Sequence, residues 1–459
     1  MHTSFAPLDS PSIPIHALRA SETAKWLDDH SGAVRAFANV HEFRGQAGKL
    51  MIVPMPDGSV ERVLLGLGET PDAFEIGGLS GRLPAGTYHL ATAPSDLSAQ
   101  LVLIAWALGT YVFDRYKPRP TKLVRLVPPT GTDAVEANAI AEAVFLARDL
   151  VNTPANDMGP EALEAAALAL ASRFGAHAHV VRGEELLSDN YPMIHAVGRA
   201  AAQAPRYVEI IWGPEGAPKL ALVGKGVTFD SGGLDIKPST GMRIMKKDMG
   251  GAACVLALGQ LIMAAKLNVR LSVHIAIVEN AISASAFRPG DVLASRKGLS
   301  VEIDNTDAEG RLILGDALAR ASELEPELVI DMATLTGAAR VALGPDVMPF
   351  YTQDDGLAGD LFSAGKDVGD PLWRMPLWAG YESDIESPIA HLKNSGGPMA
   401  GSVTAALFLQ HFVSAPAWVH FDVYCWNLRD RPARPAGGEA MAIRALYRVL
   451  KRRYPAISA

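Results

Sequence analysis

Cysteine is scarce in this chain: 459 residues carry two, Cys254 and Cys425. Two thiols cannot build a disulfide framework, and both lie in apolar runs. The expectation is therefore buried free thiols in a reducing compartment. Long hydrophobic runs are also missing. "LVLIAWALGTYVF" and "AACVLALGQLIMAA" are the longest, and they fall short of the roughly 18 residues that a membrane-spanning helix needs. The start, "MHTSFAPLDSPSIPIHALRA", has Pro and Asp where a secretory signal needs a basic start and an apolar core. Positive charge is not in excess. A formal net charge of -8 argues against a general attraction to nucleic acid or an anionic membrane. The basic cluster "KRRY", Lys451 to Tyr454, reads as a solvated helix end. These absences point to a cytoplasmic protein with neither a membrane nor a nucleic acid as partner. The Walker pattern, a G-x-G-x-x-G at a strand-to-helix turn and H-E-x-x-H are absent as well, which disfavours a nucleotide cradle and a histidine zinc site.

What is present is the composition of a soluble globular protein, 49% hydrophobic and 20% charged. The length predicts two domains. Residues 1–130 alternate strand-like runs such as "KLMIVPMP" and "ERVLLGLG" with turns, and add the helical "SDLSAQLVLIAWALGTYVF". This reads as a smaller N-terminal α/β domain. "VPPTGTD" is a linker, and a connecting helix over 131–151 follows in "AVEANAIAEAVFLARDLVN", closed by Pro154. In 152–459 strands alternate with helices. "YVEIIWG", "KLALVG", "VRLSVHIAIVE", "ELVIDMATLTG" and "WVHFDVYCW" are the strands, with helices at 251–265 and 310–324 among those between them. Several runs are apolar throughout, as strands covered on both faces should be. The fold class is α/β, with a central mixed sheet flanked by helices in the larger domain. Ligands bind beyond the carboxyl ends of such strands.

Charge collects at those ends. "NTDAEGRL", Asn305 to Leu312, carries Asp307, Glu309 and Arg311. A Gly-rich loop after "KLALVG" carries Lys225, Asp230, Lys237, Lys246, Lys247 and Asp248. Each has a plain structural reading. Thr306 and Glu309 fit a capping box, and Asp248 could N-cap the following helix. Asp230 could cap a turn or pair with Lys225, and Lys246 or Lys247 reads as an ordinary solvated side chain. Jointly these readings leave charge at the ends of several apolar strands without a purpose. Four carboxylates brought together repel unless cations neutralise them. Two divalent ions would do so, and oxygen ligation admits Mg²⁺ or Mn²⁺ readily, Zn²⁺ with less precedent.

The two segments together resemble the M17 leucyl aminopeptidase family, dinuclear metal peptidases of the cytosol. "NTDAEGRL" matches the family signature, and "VGKGVTFDSGGLDIKPSTGMRIMKKDMGGAA" matches its metal-binding segment. "LVNTPAND", "RPGDV" and "DMATLTGAARVALG" match too, so the likeness runs from about Leu150 to about Gly344. It implies a catalytic metallopeptidase domain over 152–459 that releases N-terminal, leucine-like residues from short peptides. It implies that Lys225, Asp230, Asp248 and Glu309 hold one ion, Zn²⁺ or Mn²⁺ with Mg²⁺ as a third choice. Asp230, Asp307 and Glu309 hold the other, with the Asp307 carbonyl assisting. Lys237 would reach the substrate carbonyl and Arg311 would hold bicarbonate as general base, a role the four ligand carboxylates cannot take. Leu335 and Gly337 would grip the peptide backbone. Met245, Asn305, Ala308 and Thr334 would line the pocket for the first side chain. A homo-hexamer is the family expectation. The chain departs from the family in its short N-terminal domain. It departs again at "NLRDRPARPAGGEAMAIRALYRVL", where relatives carry a Gly-rich tract. A nucleic-acid-binding regulator on the same fold is the competing class, and the net acidity weighs against it.

Overall fold

Strands buried on both faces read as near-continuous apolar runs, and the segment Lys219–Asp230 has one from Leu220 to Val223, ahead of its buried polar Lys225, Thr228 and Asp230. It lies at the middle of an eight-stranded sheet in a computed structural model that describes residues 4–120 and 122–456. The strand order is Leu372–Arg374, Met348–Tyr351, Trp418–Asp422, Leu328–Ala333, Lys219–Asp230, Arg270–Asn280, Arg206–Trp212, His177–Arg182. The four inner strands, Trp418–Asp422 to Arg270–Asn280, run parallel. Antiparallel pairs join them to the strands outside on either side. This is the mixed sheet that the apolar runs imply.

Helices cover both faces. On one, Ala221, Val223, Val329 and Ala333 pack with Leu314 and Leu318 of the helix Gly310–Glu323 and with Leu407 of the helix Gly401–Gln410. On the other lies Gly250–Ala264, buried along nearly its whole length. A Cβ on Gly251 would stand 2.1 Å from the Met332 carbonyl oxygen, and one on Gly224 2.7 Å from Ala252 Cα. Only glycine at both positions lets this helix settle so close to the sheet. A three-stranded sheet of Val292–Ala294, Ser300–Glu302 and Leu392–Lys393 lies beside the segment that leads into "NTDAEGRL".

The chain divides into two compact units: one reaches from the N-terminus to Phe145 and includes Arg429–Ala436, and the other holds Leu146–Leu428 and Gly437–Ala459. The first has a five-stranded sheet in the order Leu50–Pro54, Val60–Gly66, Ile13–Leu18, Gly86–Thr92, Val124–Leu126. Its first pair is antiparallel and the others are parallel. The helix Ala134–Asn152 spans the predicted run. Among the described residues no helix is long and apolar enough to cross a membrane. Both cysteines are buried free thiols, with their sulfurs 3.5 Å apart.

The structure departs from the sequence reading in particular places. Lys225 and Asp230 sit within a strand rather than in a loop. Main-chain pairing with Arg270–Asn280 continues past Gly224, Lys225 opposite Ala276 and Asp230 opposite Asn280. The strands His177–Arg182, Met348–Tyr351 and Leu372–Arg374 had no strong sequence signal. They lie toward the sheet's edges; His177–Arg182 and Leu372–Arg374 are largely exposed and need less apolar sequence, and Met348–Tyr351, buried throughout, is only four residues long. Lys247 is not solvated: it is 2% exposed, with its ammonium 5.1 Å from the Tyr424 ring centre, and burial pulls its pKa down to about 8. Lys246 is half-buried and donates to the Asn152 carbonyl at 2.6 Å.

In the segment 427–450 one buried carboxylate gathers several donors. Glu439 accepts from Arg148 Nε at 3.0 Å and Nη2 at 2.9 Å, from Asn427 Nδ2 at 2.8 Å and from the Ala440 amide at 3.0 Å. Arg148 is fully buried, so removing Glu439 takes a two-point charge-assisted pair out of a site shielded from water. Glu439→Ala is expected to cost about 3–5 kcal/mol, read as a lowered denaturation midpoint, whereas a substitution at exposed Glu215 leaves the midpoint unmoved.

Candidate metal centre

Lys225 and Asp230 are five residues apart, an odd spacing that would put their side chains on opposite faces of a regular strand. Between Val227 and Asp230 this strand contributes one residue more than its neighbour. The extra residue reverses the alternation and lets the two groups converge. The Lys225 ammonium lies 2.8 Å from Asp248 Oδ2 and 2.9 Å from Glu309 Oε1, and it donates to the Thr334 carbonyl at 2.9 Å. A Cβ on Gly310 would stand 2.5 Å from Lys225 Cε, so a larger residue after Glu309 would push the lysine from this position. The Lys237 ammonium lies 2.7 Å from Asp230 Oδ2 and also pairs with Asp307. Asp230, Asp307 and Glu309 each present an oxygen, all within 4.8 Å of one another. The five residues read as metal ligands, and Lys237 with them, thus come together.

The capping box does not form. The helix Gly310–Glu323 has no side-chain cap at its start. Thr306 instead turns its hydroxyl to the Gly232 carbonyl, donating at 2.7 Å, and accepts from the Asp235 amide at 2.9 Å. Asp235 returns a carboxylate to the Thr306 amide at 2.8 Å. Tertiary partners outcompete the local cap because they lash the two charged loops together. Nor does Asp248 cap Gly250–Ala264; it sits in the short 3₁₀ turn before it. Asp230 accepts the Gly232 amide at 2.8 Å, the turn contact expected of it, and the Asn280 side-chain amide at 2.9 Å.

Thr334 donates to both the carbonyl and the carboxylate of Asp248, at 2.9 and 2.8 Å, so its hydroxyl holds a proposed ligand. Asn305 and Ala308 are half-buried, and their carbonyls accept from Asn394 at 2.7 and 3.2 Å. Met245 is buried in the 3₁₀ turn that carries Asp248. Leu335 and Gly337 follow the strand Leu328–Ala333, Leu335 half-buried and Gly337 exposed. Sequence reasoning passed over Asn280, Asp235, Asn394 and Asp422, the side chains that hold these loops. The available signal was a polar residue closing an apolar strand, as Asn280 and Asp422 do.

The electrostatics are those of an anionic site held together by ammonium groups. Burial, then Asp230, pushes Glu309 up to about 8 and Asp307 up to about 6. Burial opposes charge on Lys225 and Lys237, but the surrounding carboxylates outweigh it and drive both well above the usual lysine value. Burial would raise Asp248 too, yet Lys225 and Lys247 hold it below the ordinary carboxylate range. Among the described residues Glu309 Oε2 is buried without a hydrogen-bond partner, and so are Nε and Nη1 of Arg311. Burial draws Arg311 down to about 10. Oxygen donors at this spacing, one of them unsatisfied, fit hard divalent cations. The two idle N–H groups of Arg311 fit a small anion.

Because Glu309 and Asp307 bind protons more tightly folded than unfolded, the stability they confer is full below the ordinary carboxylate range. It is lost as pH rises through about 6 and about 8. Chelator-treated protein is therefore expected to lose stability from pH 5 to 8, followed by urea midpoints. Added Mn²⁺ should flatten or reverse that slope, since metal and proton compete for the same oxygens.

Family models match the two parts of the chain: the cytosol aminopeptidase family catalytic domain at residues 145–447 and the M17 aminopeptidase N-terminal domain at 13–129. A probable cytosol aminopeptidase of Geobacter sulfurreducens is 37% identical over 452 residues, covering 92% of this chain and 91% of that protein. The crystal structure of a cytosol aminopeptidase from Coxiella burnetii superposes with a TM-score of 0.92 at 43% identity, covering 98% of this chain and 99% of that one. The bottromycin maturation enzyme BotP in complex with Mn gives 0.87 at 34% identity, with 97% and 100% covered. With both domains matched and the likeness running nearly end to end, the chain belongs to the M17 cytosol aminopeptidase family.

Proposed function

We propose that this aminopeptidase removes leucine-like residues from the N-termini of short peptides in the cytoplasm, using two divalent ions. The observation that carries the reading is the group Asp230, Asp307 and Glu309, whose oxygens lie within 4.8 Å of one another. Lys225, Asp230, Asp248 and Glu309 are the residues to hold one ion, and Asp230, Asp307 and Glu309 the other. Asp230 and Glu309 are shared. Zn²⁺ or Mn²⁺ is the favoured occupant, with Mg²⁺ also compatible with oxygen ligation. Such a pair supplies an activated water and polarises the peptide carbonyl.

The chain's own groups do the rest. Lys237 has a side chain 15% exposed, and its ammonium can donate to the oxyanion that develops on the substrate carbonyl. Arg311 offers its two idle N–H groups to bicarbonate, the proposed general base. Leu335 and Gly337 hold the peptide backbone. Met245, Asn305, Ala308 and Thr334 bound the side-chain pocket, and Thr334 also fixes Asp248. The homo-hexamer remains the expected assembly.

Metal-stripped protein is expected to release no product from leucine anilide or a leucyl dipeptide, and Mn²⁺ or Zn²⁺ should restore activity. Full activity in Asp307→Ala would refute the metal reading. Arg311→Ala is expected to lower kcat by about 10²–10⁴-fold while bound metal, measured by atomic emission, stays at the wild-type level. Loss of metal in that variant would instead make Arg311 a support of the ligands.

A further inference from the structure

Two consecutive amides in the turn from Thr334 to Gly337 share one carboxylate, that of Asp422. Asp422 ends the strand Trp418–Asp422, in parallel register with Ala333 of the strand before the turn. Its Oδ1 accepts the amides of Leu335 and Thr336, each at 3.1 Å. Its Oδ2 accepts the hydroxyl of Thr336 at 2.5 Å and that of Ser402 at 3.0 Å. Ser402 in turn accepts the buried Tyr351 hydroxyl at 2.6 Å. Asp422 is 5% exposed, so these are charge-assisted bonds shielded from water, about twice as strong as neutral ones.

A trans peptide unit points its C=O opposite to its N–H. With the Leu335 N–H aimed at Asp422, the Thr334 C=O must point away from it, and that oxygen accepts the Lys225 ammonium at 2.9 Å. With the Thr336 N–H aimed at the same carboxylate, the Leu335 C=O must also point away. One anion thus sets the direction of two consecutive carbonyls, the first of them on the metal centre.

We propose that Asp422 is a positioning residue for substrate. By fixing two amide planes it presents the Leu335 carbonyl to a backbone N–H donor of the bound peptide, and it sets peptide affinity without touching the peptide. This rests on the reading above, in which the Leu335 and Gly337 backbone grips the substrate. The gain is preorganisation: a turn already oriented loses no freedom on binding.

The test is steady-state kinetics of the full-length, Mn²⁺-reloaded enzyme on a leucyl dipeptide, with metal content and thermal midpoint measured alongside. Asp422→Ala is expected to raise KM by about tenfold with kcat within about threefold and metal content unchanged. Asp422→Asn keeps an oxygen acceptor for both amides and should restore KM to within about threefold of wild type. Ser402→Ala leaves both amide bonds in place and should do the same. If Asp422→Ala does not fold, Asp422→Ser, with its shorter reach, takes its place, and KM must rise there. An active wild type with unchanged KM in Asp422→Ala, or equal KM rises in the Ala and Asn variants, overturns the proposal. So does a fall in midpoint and kcat with KM unmoved, the mark of a purely structural role. An inactive wild type would overturn the peptidase reading itself and this inference with it.

Discussion

Mutual repulsion among carboxylates is the constraint around which the larger unit is built. Asp230, Asp307 and Glu309 present oxygens within 4.8 Å of each other, with Asp248 joined to Glu309 through Lys225. In a site shielded from water such a group cannot stay fully ionised unaided. Lys225 and Lys237 offset part of the charge, but burial first, and Asp230 after it, still push Glu309 and Asp307 upward. That residual demand is why the site suits divalent cations; Arg311, two residues from Glu309, has two buried N–H groups without a partner among the described residues.

Holding like charges together takes a rigid frame, and the frame is spent in specific places. The extra residue between Val227 and Asp230 aims the two groups of the central strand together. Gly310 clears the way for Lys225, and Gly224 and Gly251 let the helix behind the sheet approach closely. Asn280 links Asp230 to the Thr306 carbonyl, at 2.9 and 3.1 Å, so one amide ties two charged loops. Asp422 does the same for the turn that carries Thr334 and Leu335. Asn280 and Asp422 each close a parallel strand, the position from which α/β sheets present ligand sites.

The layout was legible where local pattern dominates. The helix Ala134–Asn152 and the inner strands announce themselves by apolar spacing and length. The outer strands do not, because half-covered strands tolerate polar residues. Lys247 misled because a lysine is usually solvated, yet here the Tyr424 ring receives it. Thr306 misled for the opposite reason: its motif was local, and its partners, Gly232 and Asp235, lie some seventy residues away. Propensity and motif describe what a segment can do alone; a distant partner of better geometry overrides both.

By itself the sequence determined the chemistry: four acidic residues, two lysines and an arginine, in segments whose pattern marks them as ends of buried strands. It also determined the family, since residue types at those spacings carry the resemblance. Only the tertiary structure decided which oxygen faces which ammonium. That depends on strand register, on one inserted residue and on hydrogen bonds between loops far apart in the chain. A one-residue change of register turns a side chain to the other face of a sheet, and no single segment encodes the register it will adopt against another.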